Sequence, residues 1–466
     1  MSTKRSTHYY PLNTNEKNDL YSPQPSYRKF VLVFHILLLF TFISLMLYVD
    51  KLNSTGCNLN DLCNIKEEIT LKSTQEKYNI KETITSEFTQ EKYITYLPHS
   101  GLHNQRVALE NAVFMAWALN RTLILPPLIL GERFSLSVFD RLEEKLKFLS
   151  KIKQKNCKSI EKKSKSFGCE KFRDSFTFYR WDELFDFTFI LKNIKVIHRE
   201  DLIPENLFSK FNISNDKEQV WRMYGGAYNN TIYDNRKFSN ISSSNNKISI
   251  MELRERNEEL FYFNSLFARK LINLKIPENI KFMREIKRTF ILSHPTLLDI
   301  TEKISDKLGG RMKYLSAHAR IGDGRFKESS QFNIEKLIKN INRYLNKKNS
   351  NLSDNAECKQ DDHTKSSKII YLASDVSSKD DENLKPIFKM FPCTLMLDDF
   401  KDLLIPMDKL INERDGLKLT KFLIPILDLM IAANGNHVIT GGRRSTFASY
   451  MYIYNDYLQR KFNKVK

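Results

Sequence analysis

The feature that most constrains this chain of 466 residues is a run of twenty residues without a formal charge, FVLVFHILLLFTFISLMLYV at 30–49. As an α-helix such a run is about 30 Å long, which is enough to cross the hydrocarbon core of a bilayer. A buried helix of a soluble protein would carry polar residues along one stripe, and a cleaved signal peptide would be shorter and end in small residues. Neither pattern is present, so the segment predicts one transmembrane helix that is retained as an anchor.

The charges beside this segment predict its orientation. Arg28 and Lys29 directly precede it, and the tail at 1–29 has five basic residues against two acidic ones. Positively charged flanks stay in the cytosol, which places residues 50–466 in the lumen of the secretory pathway. All six cysteines and six Asn-x-Ser/Thr sites fall on that oxidising side, where disulfides and glycans form. We therefore expect a single-pass type II glycoprotein of the Golgi or endoplasmic reticulum membrane.

Between the anchor and the body lies a stem, 50–92, which carries an internal repeat. The segment KEEITLKSTQEKYNI at 66–80 is followed by KETITSEFTQEKYIT at 81–95, with nine identities in fifteen positions. Apolar positions are sparse in both copies, which is typical of a spacer rather than of a packed helix. The body that follows is expected to divide into a first half, 93–300, and a second half, 301–466.

A surplus of positive charge limits the kinds of partner. Lys plus Arg is 74 and Asp plus Glu is 55, a net charge of +19, which attracts phosphates, acidic glycans or anionic lipid heads. Nucleic acid is excluded, because a lumenal body has no ordinary access to it and no basic module with interleaved aromatic residues is present. The cysteines have no zinc-type spacing, and Cys157 and Cys169 are either a loop disulfide or two unrelated thiols.

Alternation of strand and helix patterns predicts an α/β body. The segment 93–127 reads as a β-rich run, a polar turn with glycine, an apolar helix and a second β-rich run that ends at two prolines,. A second such pattern begins near Met312. Its elements are three strands and one apolar helix, at 312–320, 368–373, 437–440 and 417–434. Ligands of such sheets bind at the carboxyl ends of the strands, so two Rossmann-like halves are expected to face a cleft.

Polar residues follow two strands of the second half. His318 and Arg320 are two apart on one strand, so both project from the same face near its carboxyl end. An arginine there either forks onto a diphosphate or pairs with Asp323. Asp375, at the end of the next strand, either accepts hydrogen bonds from a base or ribose or caps its own turn. These residues predict a nucleotide site with the structural alternatives still open.

The turn at 441–446 is a second candidate for an anion site. Its glycines permit close backbone approach, Ser445 or Thr446 can cap the following helix, and the helix N-terminus attracts an anion. An ordinary capped helix has the same features. The predicted lumenal part contains no Asp-x-Asp pair, so we do not expect a metal-chelated diphosphate. The charge of a leaving group would instead be balanced by Arg320, helix amides and hydroxyls.

Four short motifs of this chain resemble those of the GDP-fucose protein O-fucosyltransferases and their relatives. The motifs are HSGLHNQR at 99–106, HARIGD at 318–323, YLASD at 371–375 and GGRRSTFAS at 441–449. Members of that family carry a Gly-x-x-Asn-type turn, a His-x-Arg strand end and a Ser-(Ser/Thr)-Phe helix start in the same order. The resemblance implies a GT-B architecture, GDP-fucose as the donor, and an inverting transfer without a metal ion or other cofactor.

The resemblance also implies the catalytic residues. Arg320 would bind the β-phosphate and stabilise departing GDP. Asn104 would lie near the transferred sugar and the acceptor hydroxyl. His99, His103 and Glu110 are local alternatives to Asn104 for the group beside that hydroxyl.

Binding residues are implied in the same way. His318 would contact the nucleoside, and the helix start at 445–447 would close on phosphate and fucose. The full set of implied binding residues is His103, Arg106, His318, Asp375, Ser445, Thr446 and Phe447. The expected function is transfer of fucose to a hydroxyl of a protein or glycan. The alternatives are a lumenal receptor for acidic glycans without catalysis, and a degenerate transferase that only binds nucleotide.

Overall fold

The computed structural model describes most of the body of the chain. The residues described are 91–132, 135–154, 169–224, 230–236, 246–268, 271–322, 324–347, 368–376, 378–441 and 445–463. They belong to one compact unit, Gln90–Lys466. The tail, the transmembrane helix and nearly all of the stem expected from the sequence lie outside these residues. No helix within the described ranges is long and apolar enough to span a membrane.

The first half is built on a parallel sheet of five strands. Its elements are β1 (Tyr93–Tyr96), α1 (Leu102–Leu119), β2 (Thr122–Leu125), β3 (Leu128–Gly131), α2 (Phe139–Gln154), α3 (Cys169–Arg173), β4 (Phe176–Tyr179), α4 (Trp181–Leu184), α5 (Thr188–Asn193), β5 (Val196–His198), α6 (Pro204–Phe211), β6 (Val220–Met223), β7 (Asn230–Tyr233), β8 (Asn246–Ser249), α7 (Ile250–Arg254), β9 (Leu260–Phe263), β10 (Ile272–Asn273) and α8 (Pro277–Thr289). The strand order is β5-β2-β1-β9-β6, with β1 in the centre.

Apolar strands explain why this sheet lies inside the molecule. Every residue of β2 and of β9 is buried, as expected for parallel strands that are covered on both faces. The helix α1 follows β1 and packs against β1 and β2. The β-strand, turn, helix and β-strand predicted at 93–127 are therefore confirmed, and the turn lies at the carboxyl end of the central strand.

The second half is built on a parallel sheet of four strands. Its elements are α9 (Pro295–Lys307), β11 (Leu315–Ala319), α10 (Gly324–Glu328), α11 (Ser330–Leu345), β12 (Ile370–Ser374), α12 (Lys385–Met390), β13 (Thr394–Leu395), a 3-10 segment (Leu397–Lys409), α13 (Thr420–Ala433), β14 (His437–Thr440) and α14 (Thr446–Asn463). The strand order is β13-β12-β11-β14. Two parallel sheets confirm the α/β class predicted for the body.

The boundary expected between residues 300 and 301 falls inside α9. This helix packs against α13 and the 3-10 segment, which are elements of the second half. Its buried residues, such as Leu297 and Ile304, lie on the face that makes these contacts. The second half therefore begins before Pro295, because a helix is assigned to the core that covers its apolar face.

The C-terminal helix α14 connects the two halves. It packs against α13 of the second half and against α1 of the first. The backbone N–H of Leu292 donates to the hydroxyl of Tyr450 at 3.1 Å, and the hydroxyl of Tyr454 donates to the carbonyl of Leu292 at 3.4 Å. The ring of His103, in the first turn of α1, lies 5.4 Å from that of Phe447 and 5.1 Å from that of Tyr450. The beginning of α14 therefore lies beside the beginning of α1.

Candidate active site

A cavity of about 1010 Å³ lies where the carboxyl ends of the strands meet. One wall is the turn between β1 and α1, together with the end of β3. The other wall is formed by the ends of β11 and β12, by α13 and by the start of α14. Eight of the nine site residues named from the sequence line this single cavity. They are His103, Asn104, His318, Arg320, Asp375, Ser445, Thr446 and Phe447. Residues up to 344 positions apart in sequence are thus brought to one place by the fold.

The first-half wall is a turn held rigidly against the sheet. Ser100 has a left-handed backbone, with φ of 63°, and its hydroxyl lies 2.6 Å from Nδ1 of His99. The side-chain amide of Gln105 donates to the carbonyls of Ser100 and Ile129, and its oxygen accepts from the backbone N–H of Ile129. The turn is therefore fixed both to the helix that it begins and to β3.

Asn104 and His103 present polar atoms from the first turn of α1. Neither Oδ1 of Asn104 nor Nδ1 of His103 has a hydrogen-bond partner among the residues that the structure describes. The ring of His103 is 5.4 Å from that of Phe447 and 5.1 Å from that of Tyr450. Burial, and then the positive charge of Arg106, holds the pKa of His103 well below its usual value. This imidazole is therefore neutral at physiological pH.

Arg106 is not part of the cavity wall. It is buried, forms an ion pair with Glu110 one helical turn later, and lies 4.4 Å above the ring of Tyr450. The four-residue spacing places both charges on the face of α1 that packs against α14. The structure therefore does not bring Arg106 together with the other predicted binding residues at the cavity, and its contacts are those of a scaffold residue. The same ion pair removes Glu110 as an alternative to Asn104.

Arg320 and Asp375 face each other across the end of the second sheet. Nε of Arg320 lies 3.2 Å from Oδ2 of Asp375, with 18% and 15% of the two side chains exposed. The carboxylate of Asp375 also accepts the backbone N–H groups of Ile321 and Gly322, at 2.8 and 3.0 Å. Asp375 therefore caps the turn after β11, instead of its own turn, and orients Arg320. The alternative partner of Arg320, Asp323, lies outside the described residues.

His318 and Phe447 form the junction between the walls. Their rings stack with centroids 5.0 Å apart and planes 22° apart. Burial, and then the charge of Arg320, lowers the pKa of His318 to about 3, so this ring is also neutral. Phe447 thus contacts a histidine from each half of the molecule. An apolar ring between two neutral imidazoles gives the base of the cavity a defined shape without adding charge.

The chain passes close to α11 immediately before α14 begins. The hydroxyl of Ser445 accepts the backbone N–H of Ala448 at 3.1 Å, so Ser445 caps the helix as its position in the sequence suggests. A Cβ atom at Gly441 would lie 2.2 Å from the carbonyl oxygen of Asn333. Only glycine fits there, and the chain can therefore pass close to α11 before it enters α14. Residues 442–444 lie outside the described part.

Asp428 is a cavity residue that the sequence analysis missed. Its side chain is buried on α13, lines the cavity, and accepts a 2.6 Å hydrogen bond from the hydroxyl of Tyr371. Burial raises the pKa of this carboxyl to about 7. A signal was present in the sequence, because Asp428 is the only acidic residue in the apolar helix TKFLIPILDLMIAA. A buried carboxyl that faces a cavity is a candidate for ligand recognition.

Potential metal ligands do not cluster in the described part of the chain. Within those ranges no three His, Cys, Asp or Glu side chains come together as a metal site would require. Among the described residues, the positive groups at the cavity are Arg320, Lys421 and the N-terminus of α14, which carries a partial positive charge,. The arrangement can therefore hold an anion with protein groups alone.

Comparison with known proteins gives limited similarity. No protein-family model and no curated protein match the chain. Among solved structures, POFUT1 in complex with GDP is 12% identical, with a TM-score of 0.40 over 79% of this chain and 95% of that chain. The fucosyltransferase NodZ from Bradyrhizobium is 13% identical, with a TM-score of 0.37 over 78% and 93%. NodZ alpha-1,6-fucosyltransferase co-crystallized with GDP is 14% identical, with a TM-score of 0.36 over 78% and 92%. Similarity of this degree carries no functional argument, so the function proposed below rests on the cavity.

Proposed function

We propose that this chain is a glycosyltransferase that moves fucose from GDP-fucose to a hydroxyl of a protein or glycan. One observation carries the proposal. Arg320, Asn104 and the helix start at 445–447 line one cavity at the carboxyl ends of two parallel sheets. This is where α/β proteins bind nucleotides, and the cavity has polar groups for a diphosphate on one wall and for a hydroxyl on the other.

The diphosphate would lie between Arg320 and the start of α14. A guanidinium forks onto two phosphate oxygens, and the free N–H groups of a helix start bind anions. The ion pair with Asp375 holds Arg320 in place before the ligand arrives. As the bond from the sugar to phosphate breaks, negative charge grows on the phosphate. Arg320 would then stabilise that charge more strongly than in the ground state.

The nucleobase would be read by Asp428. Guanine presents two neighbouring N–H donors, and an ionised carboxylate accepts such a pair. The hydroxyl of Tyr371 donates to Oδ1 of Asp428, and the backbone N–H of Ser374 also donates to this carboxyl. Each carboxylate oxygen has more than one lone pair, so the oriented carboxylate can still accept the two donors of the base. Uracil has a single N–H donor at the corresponding edge, so this carboxylate favours a guanine nucleotide.

The remaining features of the proposal follow from the topology predicted by the sequence. The catalytic body would lie in the lumen of the Golgi or endoplasmic reticulum, attached by one transmembrane helix as a type II protein. Transfer would invert the anomeric centre, with the acceptor hydroxyl approaching from the side of Asn104. No metal ion would be needed, since Arg320 and the start of α14 neutralise the diphosphate.

Nucleotide binding tests the proposal directly. The full-length chain, purified in mild detergent, is titrated by calorimetry with GDP, GDP-fucose, GDP-mannose and UDP, with and without EDTA. We expect GDP and GDP-fucose to bind with the same affinity in both buffers and UDP to bind weakly. A folded chain that binds none of these nucleotides would contradict the proposal. Binding of an acidic glycan by that same chain would then favour a receptor.

Binding of GDP is expected to weaken in acid because of Asp428. The pKa of this carboxyl is raised to about 7, and only the ionised form accepts two N–H groups. The loss of one proton on binding predicts about tenfold weaker GDP affinity at about pH 6 than at about pH 8. Calorimetry at the two pH values measures it. Asp428→Asn should bind GDP more weakly and lose this dependence, which separates it from titration of the GDP phosphate itself.

A further inference from the structure

The turn that enters the cavity holds a serine in a conformation that favours glycine. Ser100 has φ of 63° and lines the cavity wall. A left-handed backbone is unfavourable for residues with a Cβ atom, and it persists only where the surroundings hold it. The bonds made by Gln105 to Ser100 and Ile129 hold it here. Unfavourable backbone conformations of this kind are typical of residues at active sites and ligand-binding sites.

That side chain is bonded to a buried imidazole. The hydroxyl of Ser100 lies 2.6 Å from Nδ1 of His99, whose residue is only 2% exposed. Nε2 of His99 has no hydrogen-bond partner among the described residues. The ring of Phe267 stands at 80° to the imidazole, with centroids 5.5 Å apart. In the tautomer with its proton on Nε2, Nδ1 has a lone pair that accepts the proton of the Ser100 hydroxyl,.

Ser100 lies where transfer would occur, because it lines the same cavity as Asn104, Arg320 and Phe447. His103, in the first turn of α1, touches Phe447 at the start of α14, and Ser100 precedes His103 by about one helical turn. The carbonyl of Gly101 accepts the first hydrogen bonds of α1, and that helix start has no side-chain cap and no acidic residue. Its partial positive charge therefore stabilises negative charge that develops on an oxygen at Ser100.

We propose that Ser100 and His99 form a relay that takes the proton from the acceptor hydroxyl. This proposal rests on the glycosyl transfer proposed above. The acceptor oxygen forms its bond to C1 of the sugar while the bond from C1 to the phosphate oxygen breaks, and its electron pair leaves with GDP. The acceptor proton passes to Oγ of Ser100, and the proton of Ser100 passes to Nδ1 of His99. The imidazolium then releases one proton to solvent, which balances the reaction.

In this relay Ser100 is the catalytic residue and His99 acts through it. Burial lowers the pKa of His99 to about 4, so the ring has its lone pair available at every physiological pH. A weak base is sufficient here, because an oxygen that is already bonding to C1 becomes strongly acidic. Asn104 would orient the acceptor hydroxyl, since an amide oxygen accepts hydrogen bonds but does not take up a proton.

The test compares Ser100→Gly with Ser100→Ala in the full-length chain. Water serves as the acceptor, and the release of GDP from GDP-fucose is the rate measured. Calorimetry gives the donor affinity. Glycine relieves the backbone strain and alanine does not, but both remove the hydroxyl. We expect both variants to lose at least about 100-fold in kcat, with unchanged donor affinity. A purely structural serine predicts instead that Ser100→Gly is stable and active.

The role of His99 has its own readouts. His99→Asn keeps a polar atom near Oγ of Ser100 but takes up no proton. It should lose kcat to the same extent as Ser100→Gly, and the solvent isotope effect on kcat should disappear in both. The double variant of Ser100→Gly and His99→Asn should be no slower than either single variant. When two residues act in one step, the losses in rate caused by their substitutions do not add. Asn120→Gly, which relieves a left-handed residue at the far end of α1, is the matched control and should keep full activity.

Each result decides between the hypotheses. Full activity of Ser100→Gly would overturn the relay, as would additive losses in the double variant. A wild-type chain that binds GDP-fucose but releases no GDP would also overturn it, since a working relay must serve water. All three results leave the nucleotide site intact. A folded wild-type chain that binds no nucleotide would instead refute the proposed function itself.

Discussion

Replacing Arg320 with alanine is expected to slow GDP release from GDP-fucose by roughly 100- to 1,000-fold, since one charged contact that strengthens in the transition state contributes about 3 to 4 kcal/mol. Arg320 is the one cationic side chain at the cavity that follows a strand of the second sheet in the described ranges. Its ion pair with Asp375 aims it before the donor binds. The measurement is kcat/KM for GDP-fucose at equal amounts of folded protein.

Two variants give this prediction its controls. Arg320→Lys should recover only part of the rate, because an ammonium group lacks the planar fork that matches phosphate oxygens. Arg343→Ala removes an exposed arginine from α11 of the same half and should leave the rate unchanged. Full activity of a folded Arg320→Ala variant would show that the phosphate is held elsewhere.

Replacing Glu110 with glutamine is expected to destabilise the fold by roughly 3 to 5 kcal/mol, because it leaves a buried charge on Arg106 without its partner. Both residues are about 2% exposed, and their ion pair lies between α1 and α14. The change removes one charge and almost no volume, so packing does not account for the loss. Urea unfolding of the full-length chain measures the difference in free energy.

Controls separate the scaffold role of this pair from ligand binding. Glu144→Gln, at an exposed position of α2, should change the free energy of unfolding by less than about 0.5 kcal/mol. The double variant Arg106→Met with Glu110→Leu should recover most of the stability, since an apolar pair of similar volume replaces both charges. It should also bind GDP normally. If a stable double variant lost GDP binding, Arg106 would have to contribute to the ligand site after all.

Most of the cavity residues named above could be predicted from the sequence, because they follow strands. His318 and Arg320 come at the end of β11, and Ser445 caps α14 after β14, as predicted. The strand and helix periods are local properties of the chain. Parallel strands bring their carboxyl ends to one edge, so residues at several strand ends meet there. Order along the chain was therefore enough to predict their proximity.

The contacts of other residues could not be predicted, because their partners are distant in sequence or in a buried layer. Asp375 was expected to accept hydrogen bonds from a base or ribose or to cap its own turn. It lines the cavity, and the turn that it caps is the one after β11, 53 positions away. Arg106 carries a charge in a motif that otherwise faces the cavity. Arg106 lies on the side of α1 that α14 buries, and the local sequence pattern does not predict that contact. Asp428 gained its altered pKa from the same kind of burial.

The sequence alone was sufficient for the alternation of strands and helices, for the positive charge, and for the polar turns that follow the strands, because each depends on near neighbours in the chain. Packing of the folded chain decided which polar groups face the cavity and which are buried in pairs. It also decided which side chains titrate near neutrality. Those properties depend on the loss of water and on charges brought close by distant segments, and both arise only when the two sheets and α14 come together.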